Sequence, residues 1–229
     1  MKYILSIITA GFVFIACNSS REKNEPPKDP VTDTASASAD TVAVMDQPQT
    51  VVADTAAVPA NRLIVPGKSI GLTSIGQKNE EARKHLGPPA FEDAGMGKEL
   101  ATWYSKPIIH GTDTVINQMN IFFMTNMGGE DEASRVEHIR ITSGFFMTAE
   151  HIGSGSSHDA ISKSFPGLKK IGTYTSPKTK KQVIIYDDLK SGIAFEIDDN
   201  HVCIGIAVHK PNEERHEIYN ALFGDAKFD

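Results

Sequence analysis

Gly76-Gln77-Lys78-Asn79-Glu80-Glu81-Ala82-Arg83-Lys84-His85-Leu86-Gly87 is matched, at a constant offset of 79 residues, by Gly155-Ser156-Ser157-His158-Asp159-Ala160-Ile161-Ser162-Lys163-Ser164-Phe165. Each copy runs from a glycine through a capping position and an acidic first turn to an apolar residue, with a second apolar residue four places on. That spacing predicts a short amphipathic helix with Ala82 and Leu86, or Ile161 and Phe165, facing inward. Ser157 is a good N-cap with Asp159 in the first turn. Lysine cannot accept a bond from the helix N–H groups, so Asn79 rather than Lys78 is the expected cap of the first copy. Gly87 with Pro88 and Pro89, and Pro166 with Gly167, stop the two helices.

Three strand-like runs follow each helix: 99–105, 116–124 and 135–142 after the first, and 182–187, 192–198 and 201–209 after the second. Alternation is clearest in Ile193, Phe195 and Ile197 and in Val202, Ile204, Ile206 and Val208. Gly128-Gly129-Glu130-Asp131 and Asp198-Asp199-Asn200 supply the turn chemistry between strands. The fold class is therefore α+β, built from two tandem units over about 68–147 and 148–210. Each is a helix followed by a three-stranded antiparallel meander. A C-terminal helix starts at Pro211, turns Ile218, Tyr219, Leu222 and Phe223 to one face and ends at Gly224. Trp103 and Tyr104, adjacent on a strand, point to opposite faces.

Residues 61–229 form one domain, long enough for a real core. They hold 19 Lys and Arg against 22 Asp and Glu, a balance that does not call for nucleic acid. Lys169, Lys170, Lys178, Lys180 and Lys181 make the densest basic group, but they lack interleaved aromatics and read as a solvated loop.

The first sixty residues have a different character. Lys2 is followed by an apolar stretch from Tyr3 to Ala16 and then Cys17. That stretch is too short for the roughly 20 residues a membrane-spanning helix needs, and it reads as a secretory h-region. Between Asn18 and Ala60 there is no aromatic residue and no glycine, while Pro26, Pro27, Pro30, Pro48 and Pro59 recur among Ala, Thr, Ser, Asp and Val. Such a segment buries too little apolar area to offset its ordering entropy. It reads as a disordered tether over residues 17–60, with a coil end-to-end distance of roughly 35 to 40 Å.

Two resemblances follow from these residues. Lys2, the apolar run and Ala16-Cys17 resemble a bacterial lipoprotein signal peptide over residues 1–16, which implies cleavage before Cys17 and lipid on its thiol. Two or more acyl chains hold a protein stably at a membrane. Gly76, Glu81, Leu86, Gly87 and Pro88, with Gly155, Ser157, Ile161 and Phe165 in the second copy, resemble the SmpA/OmlA repeat of small outer-membrane assembly lipoproteins. Lys78 and Ala82 stand where that repeat usually has a hydroxyl residue and a valine. A tandem pair resembles the β-lactamase inhibitor protein. The expected fold is a sheet with helices packed on one face, and the resemblance implies a mixed sheet whose open face can receive a partner protein, and no chemistry.

Motifs for catalysis are sparse. Ser154 follows Gly153 directly with Ile152 before it, so the spacing of a nucleophile elbow is missing. The run Gly153 to Ser157 leads glycines into a helix N-terminus but has no Lys-Ser or Lys-Thr ending, and reads as a capping turn. With Cys17 committed to lipid, Cys203 has no disulfide partner and is expected as a buried, inert thiol. His201 and Cys203, two apart, would share a strand face and could serve zinc or copper if further ligands arrived; a strand-edge histidine beside a core thiol is the preferred reading. Glu130-Asp131-Glu132 and Asp198-Asp199 lack the alternating oxygen ligands of a calcium loop and read as hairpin tips. The expectation is thus a lipid-anchored envelope protein that binds another protein, with no catalytic residue, no cofactor and no metal. The rival is a small-ligand or metal-binding lipoprotein using the His201 and Cys203 face, and a periplasmic hydrolase comes third.

Overall fold

The computed structural model describes residues 57–214 and 216–229. The expected signal sequence at 1–16, the expected lipidation at Cys17 and all but the end of the expected tether lie outside the described residues.

A turn of 3-10 helix at Ala60–Arg62 leads into a small sheet of β1 (Ile64–Val65), β2 (Ser69–Ile70) and β3 (Thr73–Ser74). There follow α1 (Asn79–Leu86), β4 (Phe91–Gly95), β5 (Lys98–Tyr104), the hairpin of β6 (Ile108–His110) and β7 (Asp113–Val115), β8 (Gln118–Thr125) and β9 (Ser134–Ile141). The second half holds α2 (His158–Ser164), β10 (Lys169–Thr175), β11 (Gln182–Asp188), β12 (Ile193–Ile197), β13 (Cys203–His209), α3 (Glu217–Leu222) and β14 (Lys227–Phe228). Nine strands form one sheet, wholly antiparallel rather than mixed, in the order β14-β10-β11-β12-β13-β9-β8-β5-β4. The protein is α+β in the broad sense, mostly strand with three short helices.

The two halves meet where their last strands pair, Ile206 of β13 opposite Ile141 of β9 and His209 opposite His138. Outward from that seam each half is a meander of hairpin neighbours. The expected runs at 99–105, 116–124, 135–142, 182–187, 192–198 and 201–209 become β5, β8, β9, β11, β12 and β13. The two repeat units, however, each carry four strands of the main sheet rather than three, and β14, after the C-terminal helix, adds a ninth at the outer edge beside β10. The extra strands are β4 and β10. Every residue of β4 is exposed, and its sequence Phe-Glu-Asp-Ala-Gly lacks the alternation a buried face imposes. β10 opens on Lys169 and Lys170 and has a register shift between Lys170 and Gly172, so two of the five lysines assigned to a solvated loop belong to a strand.

Burial explains the shape. On one face, Ala82, Leu86, Ile161 and Phe165 from α1 and α2 pack on Ala101, Ile121, Phe123, Val136, Ile139, Ile141, Phe195, Ile206 and Val208. On the other, Ile218 and Tyr219 of α3 pack on Leu100, Phe122, Tyr174, Val183, Ile185, Ala194 and Ala207, so helices lie on both faces rather than on one, because the apolar side of α3 finds a second apolar patch there. β12 is therefore buried along its whole length, a covered strand rather than the half-exposed one that alternation implies.

Ser157 caps α2 as expected, its side chain accepting from the Ala160 N–H. The cap of α1 differs: Lys78 holds that position without a side-chain bond. Asn79 lies inside the helix, where its Oδ1 accepts from Arg83 at 2.6 Å and its Nδ2 donates to Glu99 at 2.8 Å. The polar ladder to β5 displaces it from capping. Gly87 ends α1 in the left-handed region at φ 74°. The C-terminal helix begins at Glu217, six residues after Pro211, which lies in a turn.

Candidate functional site

Register places Thr102 of β5, Asn120 of β8 and Arg140 of β9 side by side across three strands, on the face opposite α1 and α2. The next positions in that row are Ala207 and Ala194, too small to block a long side chain. Arg140 therefore reaches across β13 to Glu196 of β12, donating from Nε to Oε1 at 2.5 Å and from Nη2 to Oε2 at 2.6 Å. Its Nη1 donates to Asn120 Oδ1 at 2.8 Å, and Asn120 Nδ2 donates to Thr102 Oγ1 at 2.9 Å. The Tyr174 hydroxyl donates to Glu196 Oε2 at 2.7 Å. Gly205 lies opposite Glu196, and a Cβ there would stand 2.4 Å from Oε2. Only glycine leaves room for the carboxylate.

Both ions are out of water: the side chains of Arg140 and Glu196 are 5% and 0% exposed. Burial by itself works against a charged guanidinium, but the Glu196 carboxylate outweighs it and holds the Arg140 pKa above its ordinary value. The Tyr174 hydroxyl is pushed far up by burial and by the adjacent carboxylate, so it remains a donor. Phe223 closes the cluster from above, stacked on Tyr174 with ring centroids 3.7 Å apart and standing 5.2 Å from the guanidinium. The bidentate geometry offsets a desolvation cost of several kcal/mol per ion.

This network floors an open cleft of about 1310 Å³, to which Thr102, Asn120, Arg140 and Tyr174 contribute the bottom. Around it stand Phe91, Tyr104, Ile108, Ile116 and Phe145, each of them an exposed large hydrophobic side chain. Trp103 and Tyr104 divide as expected. Trp103 packs on the core and donates to the Gly87 carbonyl at 3.1 Å, while Tyr104 faces the cleft. The Lys178 turn between β10 and β11 forms part of the opposite wall. Arg62 fixes the lip at Phe145, donating to its carbonyl at 3.0 Å and standing 4.8 Å over its ring.

A second polar cluster lies on the same face of the sheet. His209 Nε2 meets Asp187 Oδ1 at 3.0 Å and Nδ1 meets the Lys210 carbonyl at 3.0 Å. Burial lowers the His209 pKa, but the Asp187 carboxylate and the carbonyls of Lys210 and Glu213 outweigh it, and the net direction is upward. This contribution to stability is full below the unfolded imidazole value near 6.5 and is lost as pH rises through the higher folded value. Urea unfolding should therefore show stability falling above pH 6.5, and His209→Gln should flatten that limb. Tyr219, edge-on to the His138 ring at 5.9 Å, has a buried hydroxyl without a hydrogen-bond partner among the described residues. Tyr219→Phe is expected to leave stability unchanged or raise it by up to about 2 kcal/mol, read from the urea midpoint.

The structure separates the proposed metal pair. His201 sits in the turn before β13, exposed and in the left-handed region at φ 60°, because its N–H and that of Val202 close the turn onto Asp198. Cys203 opens the strand, is 1% exposed, and its thiol donates to the Gly205 carbonyl at 3.2 Å. Burial pushes its pKa up to about 12. Among the described residues no three His, Cys, Asp or Glu side chains gather as a metal site. The glutamates and aspartates of both acidic turns lie at hairpin tips.

Sequence reasoning missed Arg140, Glu196, Asn120, Thr102 and Tyr174. Signals existed: Ile139 and Ile141 flank Arg140, and Phe195 and Ile197 flank Glu196, so each charge stands between inward apolar residues on the second face of its strand.

No family model matches the chain. A search of curated proteins likewise gives no match. Among solved structures, the chain has a distant likeness of fold to the DUF4309 family protein YjgB of Bacillus subtilis, at 11% identity and a TM-score of 0.36, covering 63% of this chain and 88% of that one.

Proposed function

We propose that this chain is a lipid-anchored protein of the bacterial cell envelope whose folded domain docks another protein and catalyses nothing. Lipid on Cys17 attaches it to the membrane, and residues 18–60 give the domain reach. The observation that carries the docking reading is the gathering of Phe91, Tyr104, Ile108, Ile116 and Phe145 around one cleft. Scattered exposed apolar residues need no explanation; a contiguous patch marks an interaction site. The charges at the floor are spent on each other, which suits recognition better than acid-base work. The reading of two tandem units draws support from the strand order, β13-β12-β11-β10 on one side of the seam and β9-β8-β5-β4 on the other.

The second reading, a small-ligand site, is favoured by the hydrogen-bonding groups at the cleft floor and uses the same cavity. Photo-crosslinkers placed at Phe91, Ile108 and Phe145, with Lys163 on the exposed side of α2 as control, separate the two in intact envelopes. Adducts of discrete protein mass from the three cleft positions alone are expected. Equal adducts from Lys163, or none at all, would count against docking. Cys17→Ser is expected to move the protein from the membrane to the soluble fraction; continued membrane association would count against the anchor.

A further inference from the structure

The cleft lining carries no aspartate or glutamate, although the chain has 29 acidic against 23 basic residues. Its basic members are Arg140, His110 and Lys178. Arg140 is neutralised by Glu196 behind it. Lys178 is not: among the described residues it meets no carboxylate, and neither does Lys180 on the same exposed turn, whereas Lys181 is paired to Asp199 and Lys170 to Asp229. An apolar cleft thus has one end with uncompensated positive charge and no negative charge along its length.

Resting on the docking reading above, we infer that the occupant is a polypeptide segment with apolar or aromatic side chains followed on one side by a carboxylate, the carboxylate meeting Lys178 and Lys180. Apolar side chains fill the space between Phe91, Tyr104, Ile116 and Phe145. Thr102, Asn120 and Tyr174 already pair within the floor network, whereas the Gln118 side chain lines the cleft and offers amide groups that match a peptide backbone and that hydrocarbon would leave unanswered. Among the described residues the hairpin of β6 and β7 at the rim pairs with no other strand, so its outer edges offer further backbone groups to an extended chain. Complementary charge at the rim sets orientation and partner choice more than affinity.

The test is selection of a random twelve-residue peptide library on the full chain carrying Cys17→Ser, alongside flotation of that protein with phosphatidylglycerol vesicles. Enriched peptides are expected to combine apolar or aromatic residues with Asp or Glu to one side. Lys178→Glu with Lys180→Glu should weaken those peptides at least about tenfold through like-charge contact. Both substitutions are on an exposed turn, and an unchanged urea midpoint shows that folding is intact. Enrichment of apolar peptides without an acidic bias would overturn the carboxylate inference and leave docking standing. No enrichment would overturn docking itself. Flotation with the vesicles, abolished by the double charge reversal, would assign the lysines to a lipid surface and overturn the peptide.

Discussion

Glu196→Leu is expected to destabilise the domain by about 3–5 kcal/mol, because it strands the Arg140 guanidinium without a counter-ion in a site from which water is excluded. Arg140 is 4% exposed and Glu196 is 0% exposed. The lost carboxylate also accepts from Tyr174, which adds an orphaned donor to an orphaned charge. In a domain of this size the loss corresponds to a fall in Tm of roughly 10 °C. The double variant Arg140→Leu with Glu196→Leu should recover most of it, since a buried pair replaced by apolar volume is often close to neutral. It should stop short of full recovery because Asn120 and Tyr174 each lose a partner. Urea titrations of the single and double variants, with m unchanged, make the comparison. A double variant as unstable as the single one would mean that the pair is not the keystone of this face.

Phe195→Ala should cost a similar amount, about 3–5 kcal/mol, by an unrelated route. Phe195 is fully buried on the face covered by the first two helices, and its ring centroid lies 5.1 Å from that of Phe165 at the end of α2. Truncation opens a cavity between sheet and helix that neither rigid element can close. Phe91→Ala provides the contrast: Phe91 is 53% exposed, and its loss should change stability by no more than about 0.5 kcal/mol. A large effect at Phe91 would show that the cleft rim serves the fold rather than a partner.

Adjacent residues of one strand thus serve different ends, and that alternation decided what the sequence could reveal. The helices at 79–86 and 158–164 were legible because spacing, breakers and inward apolar positions agreed. Six of the strands were legible because one apolar face imposes a period of two. β4 was not, since an edge strand exposed on both faces carries no burial pattern. β10 was hidden by its lysines and its register shift. Asn79 was misplaced as a cap because its competing bonds to Arg83 and Glu99 come from tertiary contact. The cleft floor depends on strand order: Arg140 and Glu196 are 56 positions apart, and only the pairing of β9 with β13 brings them together. Gly205 could not be recognised as the space for a carboxylate until its cross-strand neighbour was known.

The seam between the halves has a kinetic consequence. Within each main-sheet meander, successive strands pair with chain neighbours, whereas β9 must find β13 across the whole second half, Ile141 meeting Ile206 and His138 meeting His209. Local hairpins close quickly, and long loops make distant pairing slow. Each half should therefore assemble its meander before the two join, with the inner edges of β9 and β13 transiently bare. Bare edges invite pairing with other chains. That interval is when the chain is most open to aggregation, and closing the seam ends it.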